Sequence, residues 1–218
     1  MKAFASWSGG KDCMLAVYRY LALNGNKIEI LVNMCHEDEE HSISHGIKKE
    51  LIKKQGEAIG IPVLQESSDR KNYENNFKGI ISRLKKKDIT TGIFGDIYLE
   101  EHRVWIERVC HETGVKPVFP LWNEDTTELL NEFIELDFKA VTVAVNSDML
   151  SQEWLGRELD SQFLKDISEL ANIDPCAENG EYHTFVYDGP LFGSSVEFIK
   201  GKTLYKENHF FLELSEIK

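Results

Sequence analysis

Ser8-Gly9-Gly10-Lys11-Asp12-Cys13 brings together the groups that a polyphosphate needs. Two adjacent glycines permit a tight turn and let a bulky anion reach the backbone with no side chain in the way. An apolar, strand-like run over residues 3–7 precedes them, and apolar residues at helical spacing follow over 14–23. The turn therefore leads from a strand into a helix N-terminus, where open N–H groups and the helix dipole favour phosphate. Lys11 adds a mobile cation. Asp12 adds a carboxylate able to hold Mg2+ across phosphate oxygens or to accept a backbone N–H as a cap. The thiol of Cys13 is either acidified by the helix N-terminus or packed and inert. The spacing matches neither the Walker pattern nor the dinucleotide fingerprint, and the six residues alone also describe an ordinary strand-to-helix turn.

A second dense stretch is Asp174-Pro175-Cys176-Ala177-Glu178-Asn179-Gly180-Glu181-Tyr182-His183-Thr184. Acids, a histidine, a tyrosine and a threonine surround Gly180, although turn chemistry by itself accounts for Asp, Pro, Asn and Gly. An unperturbed imidazole titrates near neutrality, which makes His183 a general-base candidate; the other reading is a loop histidine bonded to structure. Asp96, in Gly95-Asp96, closes a strand and is read either as a Mg2+ or ribose contact or as a cap for the next helix. Residues 36–46 hold three histidines and four acids. They lack the spacing of a metal site, and a solvated loop is the preferred reading.

A scaffold must gather these groups. Strand patterns at 28–34, 61–66, 90–97 and 116–119 alternate with helical ones ending near 59–60 and spanning 72–87, 100–113 and 126–136. That alternation predicts right-handed crossovers and a mostly parallel sheet. Ligands of such sheets sit beyond the carboxyl ends of the strands, where the glycine turn, the 41–45 loop and Asp96 would converge. From residue 139 the character changes. A strand over 139–145 is followed by a helical patch with Leu155-Gly156-Arg157 and a helix over 161–171. Alternating strands then run at 185–187, 195–199, 203–205 and 210–214, with turns at Lys200-Gly201-Lys202 and Glu207-Asn208. The expected fold class is α/β, with a parallel-sheet nucleotide-binding domain over 1–125 and a smaller C-terminal α+β domain over 126–218.

Composition narrows the function classes. The 218 residues carry a formal charge of −12, from 37 acidic against 25 basic side chains. Nucleic-acid binding usually needs a basic stripe, and Lys85-Lys86-Lys87, the one compact basic run, reads as the solvated end of a helix. Small or cationic substrates are favoured over nucleic acid. No run of 18 apolar residues and no signal-peptide succession is present, so no membrane is expected and a cytoplasmic location is. Cys13, Cys35, Cys110 and Cys176 form no CxxC pair. Read as reduced thiols, they argue against a structural metal, a disulfide framework or an iron–sulfur site.

Ser-Gly-Gly-Lys-Asp-Cys resembles the PP-loop, Ser-Gly-Gly-x-Asp-Ser, of ATP pyrophosphatases of the adenine nucleotide alpha hydrolase superfamily. Glu178-Asn179-Gly180-Glu181-Tyr182-His183-Thr184 and Asp188-Gly189-Pro190-Leu191-Phe192 are similar to the paired signature of the diphthine-ammonia ligase family. Gly95-Asp96-Ile97, Pro120-Leu121-Trp122 and Leu155-Gly156 extend the resemblance over about residues 1–192. Departures are Ala177 for the usual Gly, His183 where Glu is common, and Cys13 for Ser.

The resemblance implies a Rossmann-type, HUP-like ATP-binding domain, an acceptor-binding C-terminal part, and ATP and Mg2+ as cofactors. It implies that an acceptor carboxylate attacks the α-phosphate of ATP, giving an acyl-adenylate and pyrophosphate, and that ammonia displaces AMP. Ser8, Gly9, Gly10, Lys11, Asp12, Cys13, Gly95 and Asp96 would then contact the nucleotide, with Asp12 and Asp96 on Mg2+. Glu178, Gly180, Glu181, Tyr182 and Thr184 would contact the substrate, and Lys11, Asp12, Glu181 and His183 would act in catalysis. The implied acceptor is diphthine on a translocation elongation factor. Tyr182 and Trp122 are candidates for a cation–π wall against its trimethylammonium, while Trp122 is equally a core residue. Nothing resembles a glutaminase, so free ammonia or a separate partner is expected to supply the nitrogen. A homo-oligomer is also expected. Two alternatives stand beside this reading: a tRNA-modifying PP-loop enzyme and a non-catalytic ATP-binding regulatory module.

Overall fold

The computed structural model describes residues 2–36, 42 and 45–217. Five parallel strands, β1 (Lys2–Ser6), β2 (Lys27–Cys35), β3 (Val63–Ser67), β4 (Thr91–Ile93) and β5 (Lys116–Val118), lie in the order β3-β2-β1-β4-β5. Helices α1 (Lys11–Ala22), α2 (Lys49–Ile59), α3 (Tyr73–Lys85) and α4 (Glu100–Thr113) link them. Strand alternation assigns the faces. Ala3, Ala5 and Trp7 join the apolar cluster built with α1 and α2, while Phe4 joins Phe77, Ile80, Ile106 and Val109 of α3 and α4. The strand order reverses between β1 and β4, and a sheet of this kind leaves a crevice outside the carboxyl ends at that point. Residues 8–13 and Gly95-Asp96 follow those two strands directly.

On the α3 and α4 face, Glu74 ties the helices together. Its carboxylate accepts from Trp105 Nε1 at 2.8 Å, Arg108 Nη2 at 2.6 Å and Lys78 Nζ at 2.6 Å. These donors hold its pKa well below the usual carboxylate range, Arg108 first. The walls of the crevice are thereby fixed to each other.

The C-terminal part is an antiparallel sheet of β6 (Lys139–Asn146), β7 (Tyr182–Asp188), β8 (Phe198–Lys206) and β9 (His209–Glu216), in the order β7-β6-β9-β8. Helices α5 (Thr126–Glu135) and α6 (Ser161–Ser168) pack on it. Every residue of β6 from Ala140 to Val145 is buried, as its apolar run, broken only by Thr142, requires for a strand covered on both faces. Trp7 and Met14 belong to the same apolar cluster as Phe133, Phe163, Phe185 and Leu214, so both sheets share one core.

Several expected boundaries shift. The strand expected over 90–97 ends at Ile93, and the helical patch is a 3₁₀ turn at Gln152–Trp154. The turn expected at Lys200-Gly201-Lys202 is a bulge inside one continuous strand, with the β8–β9 register slipping between Lys200 and Thr203. Residues 195–197 precede that strand. Glu207 and Asn208, with φ of 49° and 59°, do form the expected hairpin turn. Among the described residues no helix is long and apolar enough to cross a membrane.

Candidate active site

The glycine turn is shaped from behind. Gly9 adopts φ +85°, a left-handed conformation that favours glycine. Gly10, the N-cap of α1, has an ordinary φ of −91°, but a Cβ there would collide with the His45 ring and lie 3.2 Å from Thr184 Oγ1. Strand β7 runs along the turn. Val186 N donates to Gly9 O at 3.0 Å, and Lys11 N donates to Thr184 Oγ1 at 3.0 Å. Of the N–H groups expected to be open in the first turn, that of Lys11 instead serves Thr184. Gly10 N donates to Ser8 Oγ at 3.3 Å.

Lys11 is 3 % exposed and is not the mobile cation expected from its position. Its ammonium donates to Asp12 Oδ2 at 2.9 Å and to Cys176 O, and lies 5.4 Å from the Tyr182 ring centroid. Burial opposes this charge, but Asp12 first, then Tyr182 and Cys176, outweigh it and raise the pKa above its ordinary value. Lys11 is therefore a fixed cation that joins the glycine turn to the 174–184 stretch. Cys13 Sγ donates to Gly10 O at 3.2 Å, and burial pushes its pKa up, so the packed, inert reading holds.

The 174–184 stretch is knotted by two carboxylates. Asp174 accepts from Cys176 N at 3.0 Å, Glu178 N at 3.0 Å and Tyr98 OH at 2.9 Å. Glu181, 0 % exposed, accepts from Asp174 N at 2.9 Å, Asn179 N at 3.1 Å and Asn179 Nδ2 at 3.2 Å. These bonds correct the expectation that Glu181 faces the acceptor, because its oxygens are occupied in holding the loop. Gly180, at φ +83°, and Ala177, at φ 61°, both turn the loop through left-handed backbone. The cation–π wall is likewise not formed as expected. Tyr182 is buried edge-on against Phe163 at 5.4 Å, its hydroxyl donating to Pro175 O, while Trp122 is covered by the Arg103 guanidinium at 4.6 Å.

Glu178 remains available, with no side-chain hydrogen bond among the described residues. Burial first, then Asp12, Asp96 and Asp174, push its carboxyl up to about 7. His183 does not titrate near neutrality as expected. Burial first, with His45 and Lys11 beside it, holds it well below its ordinary value, and the His45 ring lies 4.6 Å away. His45 Nδ1 is 2.8 Å from Thr184 O, a carbonyl that only accepts, so that nitrogen carries the proton. Among the described residues of the 36–46 loop, His45 reaches the site. His36 is exposed, and His41 lies outside the described residues. Among the described residues no three His, Cys, Asp or Glu are placed to hold a metal.

Beside the turn opens a cleft of about 750 Å³, lined by Ser6, Tyr73, Phe77, Phe94, Asp96 and Trp105 among others. The rings of Tyr73, Phe77 and Trp105 lie 5.9–6.2 Å apart. Asp96 Oδ1 sits at its edge, 3.4 Å from His102 Nδ1, and raises the His102 pKa. Gly95 brings this edge onto the glycine turn, since a Cβ there would lie 2.8 Å from the backbone of Asp12 and Cys13. Sequence reading passed over these aromatics because their helical spacing describes a core stripe equally well. It also passed over Gln55, one of several polar residues on α2 but fully buried behind the turn.

The strand order, the glycine turn at the switch point and an aspartate just past β4 together define an α/β protein with the layout of the PP-loop class. Residues 1–117 match the family model described as the diphthamide synthase N-terminal domain, and residues 125–218 match that of its C-terminal domain. The chain belongs to the diphthamide synthase family. It is 26 % identical to a diphthine–ammonia ligase of Schizosaccharomyces pombe over 90 % of its length, spanning 36 % of that protein. Proteins of the same name from Bos taurus and Homo sapiens are 26 % and 27 % identical over 90 % of this chain and 82 % of theirs. A solved structure described as a predicted subunit of a tRNA methyltransferase from Methanocaldococcus jannaschii superposes with a TM-score of 0.46 at 14 % identity, over 87 % of this chain and 98 % of that one. That likeness is too low to bear on function.

Proposed function

We infer that the chain is an ATP-dependent ligase of the diphthine–ammonia type, which activates an acceptor carboxylate at the α-phosphate of ATP and passes it to ammonia. One observation carries the reading: the glycine turn and the acceptor stretch share hydrogen bonds, meeting at the buried Lys11 ammonium. A bond-forming step between nucleotide and acceptor needs both held in one placement. In this reading residues 1–125 hold the nucleotide and 126–218 the acceptor.

The base and ribose would occupy the cleft of Tyr73, Phe77 and Trp105, whose size and apolar rings suit a nucleoside. The polyphosphate would lie over residues 8–13, with Lys11 countering charge from below. Asp12 and Asp96, 30 % and 21 % exposed, fit Mg2+, which takes one or two carboxylates together with phosphate oxygens and water. Bound there, the ion would neutralise charge on the phosphates. Glu178 faces this acidic edge and is placed to receive a cationic acceptor group or the proton of ammonium. His183 and His45, held neutral, would add no competing positive charge. We propose diphthine on a translocation elongation factor as the acceptor, free ammonia as the nitrogen source and the cytoplasm as the location.

The test is release of AMP and pyrophosphate by the purified chain with ATP, Mg2+, ammonium and a diphthine-bearing elongation factor. Turnover should require acceptor and ammonia together, and Asp12→Ala should abolish it. ATP binding with no acceptor-dependent turnover would instead identify a regulatory module.

A further inference from the structure

Gln55 lies on α2, outside every motif, and is 0 % exposed. Its amide makes three hydrogen bonds, two to the segment between β1 and α1 and one to β7. Oε1 accepts from Trp7 Nε1, just past β1, at 3.1 Å. Nε2 donates to Gly9 O of the glycine turn at 2.9 Å and to Val186 O of β7 at 2.6 Å. The partners fix which way the amide points. An indole N–H only donates and a backbone carbonyl only accepts, so the oxygen must face Trp7 and the nitrogen the two carbonyls. No other side chain of this length offers one acceptor opposite two donors. Glutamate would set an anionic oxygen against two carbonyls. Methionine would fill the space and leave buried groups without partners.

Gln55 also occupies the place that a Gly9 side chain would take, with Oε1 2.8 Å from an ideal Cβ. Gly9 O in turn accepts from Val186 N at 3.0 Å. One amide therefore sets both the path of the turn and the lie of β7 along it. We propose that Gln55 is a positioning residue of the ligase reaction, holding the phosphate-binding turn and the acceptor-bearing strand in a single relative placement. The inference rests on the reading of residues 8–13 as the polyphosphate site.

The experiment uses the full chain and compares wild type with Gln55→Met and Gln55→Glu. It reads ATP dissociation constants, KM for ATP and for acceptor, kcat and thermal melting. Gln55→Met, which removes all three bonds, should remain folded and raise KM for ATP and for acceptor about tenfold each, which corresponds to about 1.4 kcal/mol. Gln55→Glu should be at least as impaired at about pH 8. It should recover toward wild type at about pH 6, because burial raises the carboxyl's pKa and its protonated form again carries one donor and one acceptor. A lower melting temperature with unchanged KM values, and no pH-dependent recovery relative to wild type, would overturn the proposal and leave Gln55 a core residue. If Gln55→Met does not fold, Trp7→Phe removes the bond that orients the amide together with part of a buried ring, and KM for ATP should then rise several-fold. An unchanged value there also overturns the proposal. Wild type that binds no ATP would remove the polyphosphate reading itself, an outcome the wild-type arm reports before any variant is compared.

Discussion

The carboxyl of Glu178 is pushed up to about 7 by burial and then by Asp12, Asp96 and Asp174. The sign of its effect on stability follows from linkage. A folded pKa raised above the ordinary 4.5 lends stability that is complete below 4.5 and lost as pH rises through about 7. Glu178→Gln should therefore be nearly neutral at about pH 4 and stabilise the protein by about 1–3 kcal/mol at about pH 8. Urea unfolding at both pH values checks this, and an equal effect at both would contradict it. Ala177 illustrates a different residue-scale cost. Its φ of 61° explains why Gly is usual at this position, since left-handed backbone costs an alanine about 1 kcal/mol. Ala177→Gly should raise stability by about that amount in thermal melts, less any loss from its buried methyl.

At the scale of elements, the end of β4 and the first turn of α1 are in van der Waals contact because Gly95 has no side chain. A Cβ there would meet Asp12 and Cys13 backbone at 2.8 Å, and backbone in a first helical turn cannot swing aside as a side chain can. Gly95→Ala should displace that turn, destabilise by about 1–3 kcal/mol and weaken ATP binding about tenfold or more. Calorimetric titration against wild type measures it. Gly201 shows how the same residue type misleads. Flanked by lysines it reads as a hairpin turn, yet it sits at the bulge of β8 because a Cβ there would lie 3.2 Å from Glu213 O of β9. Glycine inside a strand marks close backbone approach as readily as a turn, and only the partner strand distinguishes them.

At the scale of the whole molecule, charge separates the ligase reading from its tRNA-modifying rival. The chain carries −12, and Lys85-Lys86-Lys87 is an exposed run at the end of α3. Electrophoretic titration with tRNA at near-physiological salt should show no tight binding; a tight, steeply salt-dependent complex would revive the rival. Much of this architecture was legible in the chain. Strand, glycine turn and helix are set by periodicity and turn chemistry over a few residues, so residues 8–13 and 174–184 could be singled out with no structure in view. The tertiary structure decided which of their groups remain available for chemistry. Lys11 is fixed by a carbonyl 165 residues away and its N–H by a hydroxyl 173 residues away, while Glu181 is consumed within its own loop. Burial and hydrogen bonding act through space, and no local pattern announces whether a carboxylate in a dense motif is tied up or, like that of Glu178, left available.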